Sequence, residues 1–311
     1  MIAVVCNDAG GAEVLSAYLK TVPDPQNYCA FVAGPAAGIF QKKNVPAQVL
    51  PEGIAEAIAL VFGTPGVEKL VAGIGWSTTK ELDLILAAKE HDIHTIVYLD
   101  HWVNYRERFW YPRAGWEKNL PDEFFVGDRY AEQLAKEFFS GTPVTLIPNR
   151  YFDEIKQAYT LHEEALKRAQ DGILFLCEPI SAPINSFGDH RPLTCTEFSV
   201  LEDFLRVCVE QHIEEPIRVR LHPSESRDKY DAVIAQFQDK LRVTKSEERD
   251  LLADFARVKK VAGMESMALV MAVICDKKVI SFLPNCGLVC PLPHKEIVRV
   301  TDSRDLAPQL V

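Results

Sequence analysis

Residues Ile217–Ser226 read IRVRLHPSES. Ile217, Val219 and Leu221 alternate with Arg218 and Arg220, which is the period-two pattern of a strand. The run stops at His222-Pro223. Proline cannot continue a strand ladder, so the chain must turn where His222 is presented. A strand that delivers a histidine to its carboxyl end belongs in an α/β sheet, and ligands of such sheets bind beyond that edge. Further on, Gly263-Met264-Glu265-Ser266 separates another apolar run from another helical pattern. The two loops are expected to face one ligand.

Working outward, the same alternation fills the chain. Ile2–Cys6 is an apolar run too short for a helix and suited to a buried parallel strand. Runs of the same kind are read at Cys29–Ala33, Lys69–Ile74, His94–Leu99, Glu123–Val126 and Val144–Ile147, with helical patterns between them. Gly34-Pro35 is taken as the turn that closes the second run. After a connector at Pro148–Phe152 a second series begins. It has strands at Gly172–Cys177, Ile217–Leu221, Leu241–Thr244, Val258–Ala262 and Lys278–Phe282. Strand–helix repetition predicts an α/β fold with parallel sheets. It divides as two doubly wound Rossmann-like domains, residues 1–150 and 151–311, facing a central cleft.

The bulk composition excludes several classes. A net charge of −10 over 311 residues gives no basic face for nucleic acid or an anionic membrane. No apolar run reaches the roughly 18 residues of a membrane helix. The amino terminus begins directly as a strand with no charged leader, so a cytoplasmic location is expected. The 8 cysteines include no C-x-x-C and are expected to be free thiols. Cys286, Cys290 and His294 are evenly spaced, but no fourth zinc ligand lies nearby, so no metal site is assigned.

Chemistry is expected at the strand ends. Asp8 follows the first strand in Asn7-Asp8-Ala9-Gly10-Gly11, where it suits either a general base or a helix cap. The paired Gly10 and Gly11 let backbone approach a ligand and expose amide donors. The loop lacks G-x-G-x-x-G spacing, so a dinucleotide fingerprint is not supported. Trp76 and Ser77 lie in the loop after the third strand. Asp100, His101 and Asn104 open a stretch, Asp100–Trp110, that mixes acids, bases and aromatics. Such a mixture suits gripping a sugar ring, or alternatively a protein interface. Cys177–Ser181 leads into a long irregular stretch, a length that marks a functional loop. In the second half, His222 is suited to a phosphate oxygen, supported by Pro223 and Ser224. Gly263 and Ser266 would bind phosphate at a helix start, and Glu265 ligand hydroxyls.

Leu221-His222-Pro223, then Lys260–Ser266, then the strand entry Cys275–Phe282, resemble the GT-B glycosyltransferase superfamily, particularly its polysialyltransferase-like and teichoic-acid polymerase-like members. The resemblance implies that His222 and Ser266 contact the phosphate of a nucleotide-sugar donor, CMP- or UDP-linked. It makes Asp8 the base that deprotonates an acceptor. Glu265-Ser266 stands where the family carries a Ser-Ser or Thr-Ser pair. The implied roles are an acceptor domain first and a donor domain second. The implied reaction is inverting, metal-independent transfer to a glycan or small hydroxyl acceptor, with no cofactor beyond the nucleotide sugar. Two alternatives stand beside it: a nucleotide-sugar 2-epimerase of the same plan, and a sugar-nucleotide-binding protein without turnover.

Overall fold

The computed structural model describes residues 1–75, 78–166, 170–182 and 193–310. The chain forms two compact units, Met1–Asp153 and Glu154–Val311. Each contains one parallel sheet.

In the first unit the strands are β1 (Ile2–Cys6), β2 (Tyr28–Val32), β3 (Gln48–Val49), β4 (Lys69–Gly73), β5 (His94–Leu99), β6 (Glu123–Val126) and β7 (Val144–Leu146). Their order is β3-β2-β1-β4-β5-β6-β7, and every pairing is parallel. The helices are α1 (Ala9–Leu19), α2 (Gly34–Lys42), α3 (Ile54–Phe62), α4 (Lys80–Glu90) and α5 (Arg129–Phe138). Helix α6 (Arg150–Ala165) contains the division between the units. The central strands are buried along their length, which is why they read as unbroken apolar runs. Val4, Cys6, Val71 and Ile96 pack with Val14 and Leu15 of α1 in a core between sheet and helix.

Helix α2 departs from the sequence reading. Gly34-Pro35 begins a helix instead of ending a turn, with proline in the first helical turn. There the missing N–H costs nothing and the fixed φ favours the helix. The short edge strand β3 leaves both its residues exposed, so no apolar pattern marks it.

In the second unit the strands are β8 (Ile173–Leu176), β9 (Ile217–Arg220), β10 (Val243–Lys245), β11 (Lys260–Gly263), β12 (Lys278–Phe282) and β13 (Ile297–Val300). The order β10-β9-β8-β11-β12-β13 is again wholly parallel. The helices are α7 (Glu197–Glu210), α8 (Asp231–Ala235), α9 (Leu251–Arg257), α10 (Met267–Ile274) and α11 (Ala307–Leu310). Helix α7 starts at a capping box in which Thr196 and Ser199 exchange side-chain and backbone bonds.

One cysteine expectation is corrected. Cys195 and Cys286 form a disulfide that ties the entry of α7 to the loop after β12. The two residues are 91 apart in sequence, so only the fold brings them together. Cys6, Cys29, Cys177, Cys208, Cys275 and Cys290 are free thiols, as expected. Since Cys286 is committed to the bond, Cys286, Cys290 and His294 are not a zinc set. Among the described residues, no helix is long and apolar enough to cross a membrane.

Candidate functional site

Both sheets reverse their winding direction once. In the first, β1 leads outward to β2 and β4 leads the other way to β5, so the crevice lies beyond the carboxyl ends of β1 and β4. Asp8 follows β1 directly, at the position that caps α1. Its side chain makes no capping bond. Instead Oδ1 accepts from Asn7 Nδ2 at 3.1 Å, and the carboxylate lies against Gly75, in the loop after β4. A Cβ built on Gly75 would fall 1.3 Å from Asp8 Oδ2, so only glycine leaves room there.

Asp100, at the end of β5, reaches the same place. A Cβ on Gly10 would lie 1.9 Å from Asp100 Oδ2. Asp100 Oδ1 accepts from Arg108 Nη1 at 2.6 Å, and that nitrogen also donates to the Ile74 carbonyl at 2.7 Å. The Arg108 side chain is 3% exposed, so this is a buried charge with its counter-ion beside it.

Glu81 completes the group. It lies in the first turn of α4, yet it is only 2% exposed. Its Oε1 accepts the Asn7 N–H at 2.7 Å, and its Oε2 has no hydrogen-bond partner among the described residues. Burial pushes its pKa up to about 7, with the Asp8 charge adding to the rise. The N–H groups of Glu81 itself, Asn7 and Asp8 pull the other way. Three carboxyl groups and one guanidinium therefore gather at one sheet edge.

In the second sheet the reversal lies between β8 and β11. The loop after β8 carries Glu178, whose Oε2 accepts the Glu265 N–H at 2.9 Å and so ties it to the loop after β11. The same β8 loop reaches the other way. Ser181 Oγ donates to Glu197 Oε2 at 2.6 Å, and Glu197 Oε1 accepts from Lys229 at 2.6 Å. Lys229 also donates to Glu225 Oε1 at 2.7 Å, which Tyr230 OH reaches at 2.7 Å as well. Glu225 Oε2 then accepts the His222 N–H at 2.9 Å. This chain of bonds fixes the bend at His222-Pro223.

The His222 ring is exposed. Ser224 N–H donates to Nδ1 at 3.2 Å, and Ser224 Oγ lies 2.7 Å from the same nitrogen. Nδ1 is thus an acceptor, which places the ring proton on Nε2. Partial desolvation by the surrounding loop, reinforced by Lys229 and opposed by Glu225, holds its pKa below the ordinary value. A neutral ring with an outward Nε2–H can donate to a phosphate oxygen. Ser266 occupies the cap position of α10 but makes no side-chain capping bond. Glu265 is buried beside it.

The structure thus places the expected residues in two groups. Asp8, Gly10 and Asp100 come together in the first unit, along with Gly11, which lets α1 approach Gly73 of β4. Gly10 and Gly11, expected at the donor phosphate, have Asp100 and Gly73 as the neighbours that a side chain there would meet. His222, Pro223, Ser224, Gly263, Glu265 and Ser266 lie at the carboxyl edge of the second sheet. Trp76 and Ser77 lie outside the described residues, as does most of the long stretch after Ser181.

The aromatic stretch after β5 is largely core. Trp102, Tyr105 and Phe109 are buried, Trp102 donates to Asp128 at 2.9 Å, and Tyr105 stacks on Phe139. Interior packing therefore accounts for those rings better than sugar binding does. His101 is half-buried against Trp102, and Asn104 stands exposed in a left-handed turn. Sequence reasoning passed over Glu81, Arg108, Glu178, Glu197, Glu225 and Lys229. Only Glu178 carried a signal of position, standing directly after a strand. A surface hollow lined by His212, Lys240 and Arg242 lies at the amino-terminal edge of the second sheet, the edge opposite His222 and Ser266.

The sequence matches no family model and no curated protein. Its fold has clear relatives among solved structures. A UDP-GlcNAc 2-epimerase from Neisseria meningitidis bound to UDP-GlcNAc matches with a TM-score of 0.68 at 10% identity, over 99% of this chain and 89% of that one. A UDP-GlcNAc 2-epimerase from Methanocaldococcus jannaschii matches with a TM-score of 0.64 at 12% identity, over 99% and 90% of the two chains. The glycotransferase of kitacinnamycin matches with a TM-score of 0.56 at 10% identity, over 99% and 89%. What these matches establish is the architecture: this chain has the two-unit, parallel-sheet α/β plan of the GT-B fold.

Proposed function

We propose that the protein is a nucleotide-sugar-processing enzyme, and that epimerisation at carbon 2 of a UDP-linked amino sugar is its reaction. The observation that carries this reading is the grouping of Asp8, Glu81 and Asp100 at one sheet edge. Inverting carbon 2 requires one group to remove its proton and another to return it on the opposite face; no carbonyl adjoins that carbon, so the electron pair of the broken C–H bond expels the anomeric UDP, which adds back as the proton returns. Transfer to an acceptor needs a single base. Asp8 is the proposed proton acceptor, since it lies at the switch point without a capping role. Asp100, held by Arg108, is the proposed second group. The neighbours named as UDP-GlcNAc 2-epimerases support the substrate class.

In the second unit, His222 and the start of α10 are proposed to hold the nucleotide phosphates. The donors would be Nε2–H of His222, the Ser266 hydroxyl and the first N–H groups of α10. No metal enters this account, because these donors offset the phosphate charge.

A second reading is glycosyl transfer by a polysialyltransferase-like enzyme. The observation favouring it is the His222-Pro223 bend followed by the Gly263–Ser266 helix start, which that family shares. Incubation with UDP-, CMP- and GDP-linked sugars in the absence of acceptor separates the two. A new epimer of the nucleotide sugar is the expected product. Slow hydrolysis to nucleotide and free sugar, with no epimer, would favour transfer, and binding without any product would remove both.

A further inference from the structure

The carboxyl group of Glu81 lies beneath the Asp8 loop and, with 2% exposure, is closed to substrate. A first-turn acid of a helix ordinarily faces solvent, where it offsets the helix dipole. Here α4 turns it inward, so that Oε1 accepts the N–H of the Asn7 peptide at 2.7 Å. That N–H belongs to the Cys6–Asn7 peptide, one residue before Asp8. The second oxygen is buried without a hydrogen-bond partner among the described residues. A buried carboxylate there loses more hydration than the nearby N–H groups restore, whereas the neutral acid loses less.

The surroundings reinforce this. From β1 and its loop, the Cys6 thiol and the Asp8 carboxylate face Glu81. The Cys6 thiol is also close enough to Asp100 to feel its charge. The guanidinium of Arg108, the cation of the group, is engaged with Asp100 and the Ile74 carbonyl. On the helix itself, Lys80 reaches away to the Pro51 carbonyl, and Asp83 accepts from Thr79.

We propose that Glu81 is a positioning residue for Asp8: one oxygen holds the backbone one residue before Asp8, and the proton on the other governs the charge next to it. Glu81 does not touch substrate. Below its titration it is a neutral prop, and above it a second negative charge is placed beside Asp8. Its pKa near 7 puts that change in the working range of an enzyme. The role of the device in turnover rests on the reading of Asp8 as the proton acceptor.

The test has two arms. In the first, the side-chain carboxyl carbons of the intact protein are followed by carbon-13 NMR across pH 4 to 9, without substrate. The expected result is a Glu81 titration near about 7, with a step at the same pH in the Asp8 signal that vanishes in Glu81→Gln. An Asp8 signal with no such step in the wild type overturns the proposal, and this holds even if the variant fails to fold.

In the second arm, kcat is measured against pH for wild type and Glu81→Gln. Gln keeps an acceptor for the Asn7 N–H. We expect the variant to lose the inflection near about 7 in kcat while KM stays within about twofold. A shared loss of folding and of all activity, or an unchanged inflection, contradicts the positioning role. If Asp8→Asn retains full turnover while the NMR coupling is present, the assignment of Asp8 as proton acceptor falls and the coupling stands.

Discussion

Gly75 and Asp8 define the first unit's site at the smallest scale. The Asp8 carboxylate occupies the space a side chain at 75 would need. Gly75→Ala should displace it, lowering turnover by roughly 10²-fold or more for a misplaced acid–base group while the melting temperature changes little. Asp8→Asn should abolish turnover and leave nucleotide affinity near wild type. His222→Ala removes an exposed ring that packs little, so it should weaken UDP binding by about tenfold, the worth of one charge-assisted hydrogen bond, with the fold intact. Calorimetric titration with UDP checks it, and unfolding of the variant would make the histidine structural.

Glu81 gives a stability prediction of definite sign. Its folded pKa is raised from 4.5 to about 7, so the folded state holds its proton more tightly than the unfolded chain. Its contribution is fully present below about pH 4.5 and is lost as pH rises toward about 7. The loss is on the order of 3 kcal/mol at about 1.36 kcal/mol per unit. Asp122 and Asp302 are shifted downward and give slopes of the opposite sign at lower pH. The difference between wild type and Glu81→Gln, measured by urea unfolding at pH 5 and pH 8, isolates the Glu81 part.

At the scale of elements, the bend after β9 depends on side chains from three other segments. Glu225 is 2% exposed as a side chain, and Lys229 joins it to Glu197. Lys229→Met should leave both carboxylates without their cation, costing about 3 kcal/mol, and should speed amide exchange at His222. Unchanged exchange would show that the bend is held without the network. The disulfide joins α7's entry to the loop after β12. A thiol count under denaturing, non-reducing conditions should find 6 free cysteines, and a count of all 8 would contradict the pairing.

What was legible in the sequence follows from the same elements. Strand ends such as Cys6, Leu99 and Leu221 showed themselves because parallel strands are apolar along their length and stop at polar or glycine residues. Asp8, Asp100 and His222 were visible for that reason. Glu81 was not, because a first-turn glutamate looks solvated until the fold lays the Asn7 peptide over it. Trp102, Tyr105 and Phe109 looked like a ligand surface because local composition cannot tell a buried aromatic cluster from an exposed one.

At the scale of the whole molecule, each unit repeats one plan: a parallel sheet, one reversal of winding, and polar side chains gathered at the carboxyl edge beside it. The first unit gathers carboxyl groups, which suit moving protons. The second presents a neutral histidine and a helix start, which suit holding phosphate. That division of labour is the central claim, and it predicts solvent exchange at the sugar carbon being inverted. The direct measurement is incubation of the protein with UDP-GlcNAc in deuterium oxide, followed by mass spectrometry and proton NMR of the nucleotide sugar. The account predicts a 2-epimer carrying one deuterium at carbon 2, absent with Asp8→Asn. UDP-GlcNAc recovered unepimerised and without deuterium, after binding has been shown, would contradict it.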